Sequence, residues 1–149
     1  MDKWDYRFLD VAKEVSGWSK DPGTTVGAVL VRDRRIIATG YNGFPQGISD
    51  FVSRYEDRSI KLAYTVHAEV NAILNAAKNG AQTGGATLYT TFPPCVRCAA
   101  EIIQAGITRV VTPTVHSAPE RWWRDFQMGY ELLREAGICL VTYDEDVSL

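Results

Sequence analysis

Histidine occurs only twice in these 149 residues and cysteine only three times. So few thiols cannot build a disulfide framework, and a reducing compartment, the cytoplasm, is the expected home. No apolar run approaches the ~20 residues that a bilayer-spanning helix needs. The opening Met1-Asp2-Lys3-Trp4-Asp5 is too polar for a secretory signal. A membrane partner is therefore not expected. Basic runs are missing as well. The nearest, Arg32-Asp33-Arg34-Arg35, is broken by an acid and reads as a solvated hairpin turn. A polynucleotide binder would carry a basic footprint, whereas the formal net charge is −2, so no polynucleotide partner is expected. Repeats, low-complexity segments and linkers are also lacking, and residues 1–149 read as one domain. With 46% hydrophobic and 23% charged residues the composition is that of an ordinary globular protein.

The scarce residues are not scattered. His67-Ala68-Glu69 is followed by Pro94-Cys95-Val96-Arg97-Cys98. One imidazole and two thiolates make three ligands, and a catalytic zinc site keeps its fourth position for water. Cys95 and Cys98 are three apart, so on a helix they share a face and converge on one ion. Pro94 suits a helix start, where the thiolate form is favoured. Glu69 lies two residues past His67, a spacing that does not put both side chains on one helical face. It is read as a proton carrier beside the metal-activated water and not as a ligand. A lone H-x-E means little and a lone C-x-x-C could be a redox pair, but the ordered combination H-x-E…P-C-x-x-C is the signature of zinc nucleobase deaminases. The competing structural zinc module needs a fourth ligand, from Cys139 or His116. Cys139, in the apolar run Gly137-Ile138-Cys139-Leu140-Val141, reads as a buried strand thiol, and His116 as a loop or pocket-edge residue.

Trp4, Phe8, Val11, Ala12 and Val15 recur at helical spacing, and Gly17 ends that helix. Two short apolar runs, Val26 to Val31 and Ile36 to Tyr41, flank Asp33-Arg34 and predict a β-hairpin without the preferred glycine. A polar loop is expected from Asn42 to about Lys61, with Asp50, Tyr55 and Glu56 as solvated residues. His67 to Asn79 reads as a helix with Val70, Ile73, Leu74 and Ala77 as its apolar stripe. A strand at 86–90, a helix at 95–105, a strand at 108–112, a helix opened by Pro119 and a last strand at 138–143 complete the order. This alternation predicts an α/β fold, three layers with a mixed five-stranded sheet between helices. Trp122 and Trp123 cannot both face one core. One is expected to cover a subunit interface, in preference to packing under a loop.

With the zinc motif placed on two helix starts, the chain resembles the cytidine deaminase superfamily and, more narrowly, the deoxycytidylate (dCMP) deaminase family. Ser19-Lys20-Asp21-Pro22-Gly23-Thr24-Thr25-Val26-Gly27-Ala28 is similar to the family's S-K-D-P-x-T-x-V-G-A. Gly40-Tyr41-Asn42-Gly43-Phe44-Pro45-Gln46-Gly47 is similar to its G-Y-N-G-x-P-x-G loop. The zinc half-sites continue the likeness to Ile102-Ile103-Gln104-Ala105-Gly106-Ile107, so that it covers residues 19–111. Two departures stand out: Phe92-Pro93-Pro94-Cys95 replaces Phe-Pro-Cys, and residues 113–117 lack the tyrosine expected beside the substrate.

The resemblance implies a cytidine deaminase-like fold and hydrolysis of dCMP, and possible 5-substituted forms, to the uracil nucleotide and ammonia. It implies zinc on His67, Cys95 and Cys98, and Glu69 as the general acid–base. It implies Asn42 on the sugar, Lys20 with Ser19, Thr24 and Thr25 on the phosphate, and Ala68, Pro93 and Pro94 along the base. Gly40, Tyr41, Asn42 and Gly43 form a candidate loop for dCTP or dTTP effectors, with Mg²⁺ accompanying the triphosphate. A homo-oligomer, dimer or hexamer, is also implied. Rival readings are a deaminase of the same fold acting on free cytosine nucleoside or base or on tRNA adenosine, and a non-catalytic zinc-stabilised nucleotide sensor. Glu69 argues against the sensor, since a structural zinc needs no adjacent carboxylate.

Overall fold

Apolar residues in the central strands alternate, and each set meets a different layer of helices. The computed structural model describes residues 1–145. Its five-stranded sheet has the order β2-β1-β3-β4-β5, built from β1 (Gly27–Arg32), β2 (Arg35–Tyr41), β3 (Thr87–Thr90), β4 (Arg109–Pro113) and β5 (Cys139–Tyr143). β1 runs antiparallel to β2 and β3, while β3, β4 and β5 are mutually parallel, so the sheet is mixed as expected. Val29, Val31, Tyr89 and Val111 face α1 (Lys3–Ser16) through its Phe8, Leu9 and Ala12. The alternate residues Ala28, Leu30, Leu88 and Val110 face the other layer, α4 (Ala68–Lys78), α5 (Val96–Gln104) and α6 (Trp123–Glu135).

The hairpin turn forms without glycine. Asp33 and Arg34 both adopt left-handed backbone, with φ of 52° and 59°, the geometry a two-residue hairpin linking right-twisted strands demands. Glycine is required instead where helices press on the sheet. A Cβ on Gly27 would lie 2.0 Å from the Ala12 carbonyl oxygen of α1, and one on Gly40 would lie 2.3 Å from the Ala72 nitrogen of α4. Gly40 and Gly43 do not have positive φ, so Gly40 belongs to this packing and not to a turn.

Three expectations need correction here. The buried face of α4 is Ala68, Glu69, Ala72 and Ala76, whereas Leu74 of the expected stripe is 53% exposed. Small residues win this face because only they let the helix reach Gly40. The segment expected as a loop holds two short helices, α2 (Val52–Glu56) and α3 (Arg58–Tyr64). Neither helix has a buried residue, so neither left an apolar period to read. Asp57 caps α3 by accepting from the Ser59 and Ile60 amides. Cys139 is exposed, because it opens the edge strand β5, whose later residues Val141 and Tyr143 are the ones that pack against the α1 layer.

Asp5 locks α1 to the sheet. Its carboxylate caps its own helix at Asp2, accepts both terminal nitrogens of Arg109 at 2.7 and 2.9 Å, and accepts the Tyr89 hydroxyl at 2.8 Å. The hydrogen bonds from Arg109, reinforced by those from Asp2 and Tyr89, hold its pKa at about 2 against the opposing effect of burial. A carboxyl depressed on folding contributes stability above its unfolded pKa and loses it as pH falls through the folded value. Asp5→Asn should therefore cost about 2 kcal/mol or more at neutral pH. Urea unfolding should show this gap constant from pH 7 to 5 and narrowing from about pH 4 to 2. A gap that persists unchanged at low pH would separate the stabilisation from the charge of Asp5.

Candidate active site

Two helices begin at the same place. His67 is the N-cap residue of α4, and Cys95 is the N-cap of α5, one residue outside the helix that carries Cys98. The Cys98 amide donates to the Cys95 sulfur at 3.4 Å, and the Val96 amide donates to Asp125 of α6, so the start of α5 is held from two sides. His67 Nδ1 lies 3.2 Å from Cys98 Sγ and 3.6 Å from Cys95 Sγ, and the three donor atoms all lie within 4.8 Å of one another. A zinc tetrahedron with Zn–S of about 2.3 Å and Zn–N of about 2.0–2.1 Å has N···S edges of about 3.5 Å. The donor set fits zinc in both spacing and chemistry. Among the described residues no fourth His, Cys, Asp or Glu joins this cluster. Cys139 is exposed on β5, and His116 packs edge-on against Trp123 at 4.5 Å.

Without a cation the cluster stores protons unevenly. The Cys98 thiol, and then His67, stabilise the Cys95 thiolate and bring its pKa down to about 4. The same contact with Cys95 drives the Cys98 thiol up, and the hydrogen bond to Cys95 raises His67 to about 9. A dication binding here must displace protons from Cys98 and His67, which makes its affinity pH-dependent. Glu69 is 4% exposed, and burial pushes its carboxyl pKa up, opposed by the neighbouring His67.

A cavity of about 240 Å³ opens onto His67, Cys95 and Glu69. Phe92, Phe126 and Trp122 give it aromatic walls, with Phe92 and Phe126 edge-to-face at 5.5 Å. Of the residues expected from the sequence, Ala68, Pro93, Thr24 and Asn42 line it. The Asn42 side chain accepts the Val26 amide at 2.8 Å and donates to the Thr24 carbonyl at 2.9 Å. Pro94 is buried behind the wall, against Gly129 of α6, and Thr25 is exposed away from the cavity. Ser19 spends its hydroxyl on the Asn42 carbonyl at 2.8 Å.

Lys20 belongs elsewhere. It borders a second cavity, of about 370 Å³, with Tyr41, Asn42 and Gly43, and pairs with Asp50 at 3.1 Å. Asp50 also accepts the Tyr55 hydroxyl, and Tyr55 stacks on Phe44 at 4.3 Å, so neither is a free solvated loop residue. The cations at the first cavity are Arg58, Lys61 and Arg121. Sequence reading missed all three, since the first two sit in the segment taken for a loop and the third in an unmatched tail. The tryptophans also divide differently from the expectation. Trp123 packs under the 114–118 turn and donates to the Ala118 carbonyl, while Trp122 lines the cavity.

Comparison with known proteins accords with this geometry. A model of the cytidine and deoxycytidylate deaminase zinc-binding region matches residues 2–114. An uncharacterized deaminase of Aliivibrio fischeri is 40% identical over 93% of this chain and 92% of its own. Human deoxycytidylate deaminase is 40% identical over 73% of this chain, which spans 64% of the human protein. The crystal structure of dCMP deaminase from the cyanophage S-TIM5 in complex with dCMP and dUMP superposes with a TM-score of 0.78 at 25% identity, covering 96% of this chain and 99% of that one. No helix among the described residues is long and apolar enough to cross a membrane. With three metal-ligand donors converging over a buried glutamate, and with a family model spanning both half-sites, the chain belongs to the cytidine and deoxycytidylate deaminase zinc-binding family.

Proposed function

We propose that this chain hydrolyses dCMP to dUMP and ammonia with one zinc ion. The observation that carries the reading is the meeting, in one cavity, of the His67–Cys95–Cys98 donors, the buried Glu69 carboxyl and a cationic rim. Zinc held by these three residues supplies Lewis acidity and makes water nucleophilic near neutral pH. The remaining work falls to side chains of this protein. Glu69 takes one proton from the attacking water and delivers it to N3 as the C4–O bond forms, then takes the second from the C4 hydroxyl and passes it to the amino group, so that the C4–N bond breaks and ammonia leaves. Its raised pKa suits a group that must hold a proton as readily as release it. The aromatic walls and the 68 and 93 backbone hold the base. Asn42 keeps one N–H and one lone pair beyond its two backbone partners, enough for a sugar hydroxyl.

The phosphate reading moves from Lys20 to Arg58, Lys61 and Arg121. Lys61 is partly neutralised by Asp21 at 3.0 Å, whereas among the described residues neither arginine forms an ion pair. An arginine fork matches a phosphate better than a point charge does. The relatives acting on deoxycytidylate support a nucleotide substrate over free nucleoside, base or tRNA adenosine. The second cavity, with Lys20, Asn71, Asn75 and Asp50, supports the binding of a dCTP or dTTP effector, Asp50 being the carboxylate nearest to hand for its Mg²⁺. Exposed Leu74, Phe51 and Val52 support a homo-oligomer, and three unpaired cysteines suit the cytoplasm.

Glu69→Gln should retain about one zinc per chain while its deamination rate falls at least ~10²–10⁴-fold, read by ultraviolet assay on dCMP. Near-wild-type turnover would remove Glu69 from the proton transfers. Metal analysis checks the ligands: Cys98→Ala should lose zinc and activity together, whereas Cys139→Ala keeps both. Substrate comparison tests the phosphate. Arg58→Ala should lose roughly 10–100-fold in kcat/KM on dCMP and little on deoxycytidine, with Lys20→Ala close to wild type. The opposite ranking would return the phosphate to Lys20, and a wild type indifferent between dCMP and deoxycytidine would end the nucleotide reading.

A further inference from the structure

Thr90 is the last residue of β3, opposite Ala28, and is fully buried. A valine would fill the same volume there without a hydroxyl to satisfy, so the hydroxyl needs a reason. Its oxygen lies 3.1 Å from Glu69 Oε1 and 3.1 Å from the Phe92 carbonyl oxygen. A hydroxyl has one proton for these two acceptors. In its ionised form the Glu69 carboxylate outcompetes the neutral carbonyl, because the charge-assisted hydrogen bond is the stronger. Among the described residues no other side chain donates to Glu69, whose own backbone amide is its other hydrogen-bond donor. Thr90 itself does not line the cavity. The strand end that carries it is also fixed, since the Tyr143 hydroxyl donates to the Thr90 carbonyl at 3.0 Å.

We infer that Thr90 is a positioning residue for deamination: its hydroxyl holds the Glu69 carboxyl in the rotamer that faces the metal-ligand cluster. Glu69 has three side-chain torsions, and aromatic walls offer it no hydrogen bond. A carboxyl that must reach a water, then N3, then an amino group has to stay within a narrow arc. The Thr90 hydroxyl anchors one oxygen from the rigid strand and leaves the other for the reacting atoms. The hydroxyl has one proton to give, but its oxygen also accepts the Phe92 amide at 3.5 Å, so the test must separate a role at Glu69 from a role in the Phe92 turn.

The inference rests on the deaminase reading, and its test is built to fail separately. Thr90→Val removes the hydroxyl at constant shape, and Thr90→Ser retains it. Thr90→Val should keep about one zinc per chain and a KM for dCMP within about threefold of wild type. Its kcat should fall about 10–100-fold, the worth of a hydrogen bond to an ionised group. Thr90→Ser should stay within about threefold in kcat. In a Glu69→Gln background Thr90→Val should add no further loss. Infrared spectra of ¹³C-glutamate-labelled protein give a readout free of substrate. The Glu69 carboxyl band, assigned by its loss in Glu69→Gln, should shift in Thr90→Val and not in Thr90→Ser. An unshifted band, an unchanged kcat, or equal losses in the valine and serine variants would overturn the inference. Zinc loss or unfolding of Thr90→Val would make the hydroxyl structural, tied to Phe92, and overturn it as well. If wild type fails to turn over dCMP, the substrate reading falls while the infrared band still decides Thr90.

Discussion

The site depends on how closely α4 can approach β2. A Cβ on Gly40 would meet the α4 backbone at 2.3 and 2.4 Å, so the helix lies on the strand with no side chain between them. On the helix side the same contact demands Ala68, Ala72 and Ala76, all fully buried. This seating fixes the rotation of α4 about its own axis. With alanines facing the sheet, Glu69 turns inward beneath the cavity and His67, at the N-cap, reaches the cysteines of α5. Leucine at any of these alanine positions would rotate or lift the helix and separate the imidazole from the thiols. Close packing therefore does here what a covalent tether does elsewhere, since interiors are too dense to absorb such a shift locally.

Convergence of two helix N-termini then supplies the electrostatics. Helix starts carry partial positive charge, which favours thiolates at Cys95 and Cys98 over thiols. Two thiolates side by side still repel, so the sulfurs share a proton: the hydrogen bond from the Cys98 thiol holds the Cys95 pKa low and, with burial, raises that of Cys98. A dication resolves it, whereas a proton resolves only half. The carboxyl of Glu69 adds a third negative group to the neighbourhood, and burial answers by raising its pKa. The arrangement thus ties metal occupancy and the protonation of Glu69 to the same small volume.

The parts of this design that were legible in the sequence are those set by local chemistry. His67, Glu69, Cys95 and Cys98 stood out because each residue type is rare and the order is diagnostic. The hairpin was read from two apolar runs although its turn uses Asp33 and Arg34 in place of glycine. The apolar stripe of α4 was misread for an instructive reason: the hydrophobic residues Val70, Ile73 and Leu74 outscore alanine on any hydropathy scale, yet closeness, not hydrophobicity, selected the buried face. Cys139 was misplaced because an apolar run cannot reveal whether its strand is central or at an edge. Arg58, Lys61 and Arg121 were invisible for a different reason. Their helices bury nothing, and the bridge between Gly43 and Val66, together with the Lys61–Asp21 pair, brings the 42–66 excursion back over the cavity.

That excursion explains why one asparagine borders two cavities. Asn42 follows β2, where the chain leaves the sheet, and its amide ties the Thr24 carbonyl and the Val26 amide at the entry to β1. The two ends of the hairpin are thereby clamped together by a side chain that also lines both the Glu69 cavity and the Lys20 cavity. From the other side, Asn71 of α4 donates to the Tyr41 carbonyl at 2.7 Å, so the exit of β2 is fastened to the helix that carries Glu69. A ligand that moved residues 41–43 would have to break or follow these bonds, and its effect would reach α4 through the Asn71–Tyr41 hydrogen bond and the Gly40 contact. No long path through the core lies between the two cavities, because Asn42 lines both and Tyr41, its neighbour, lines the second.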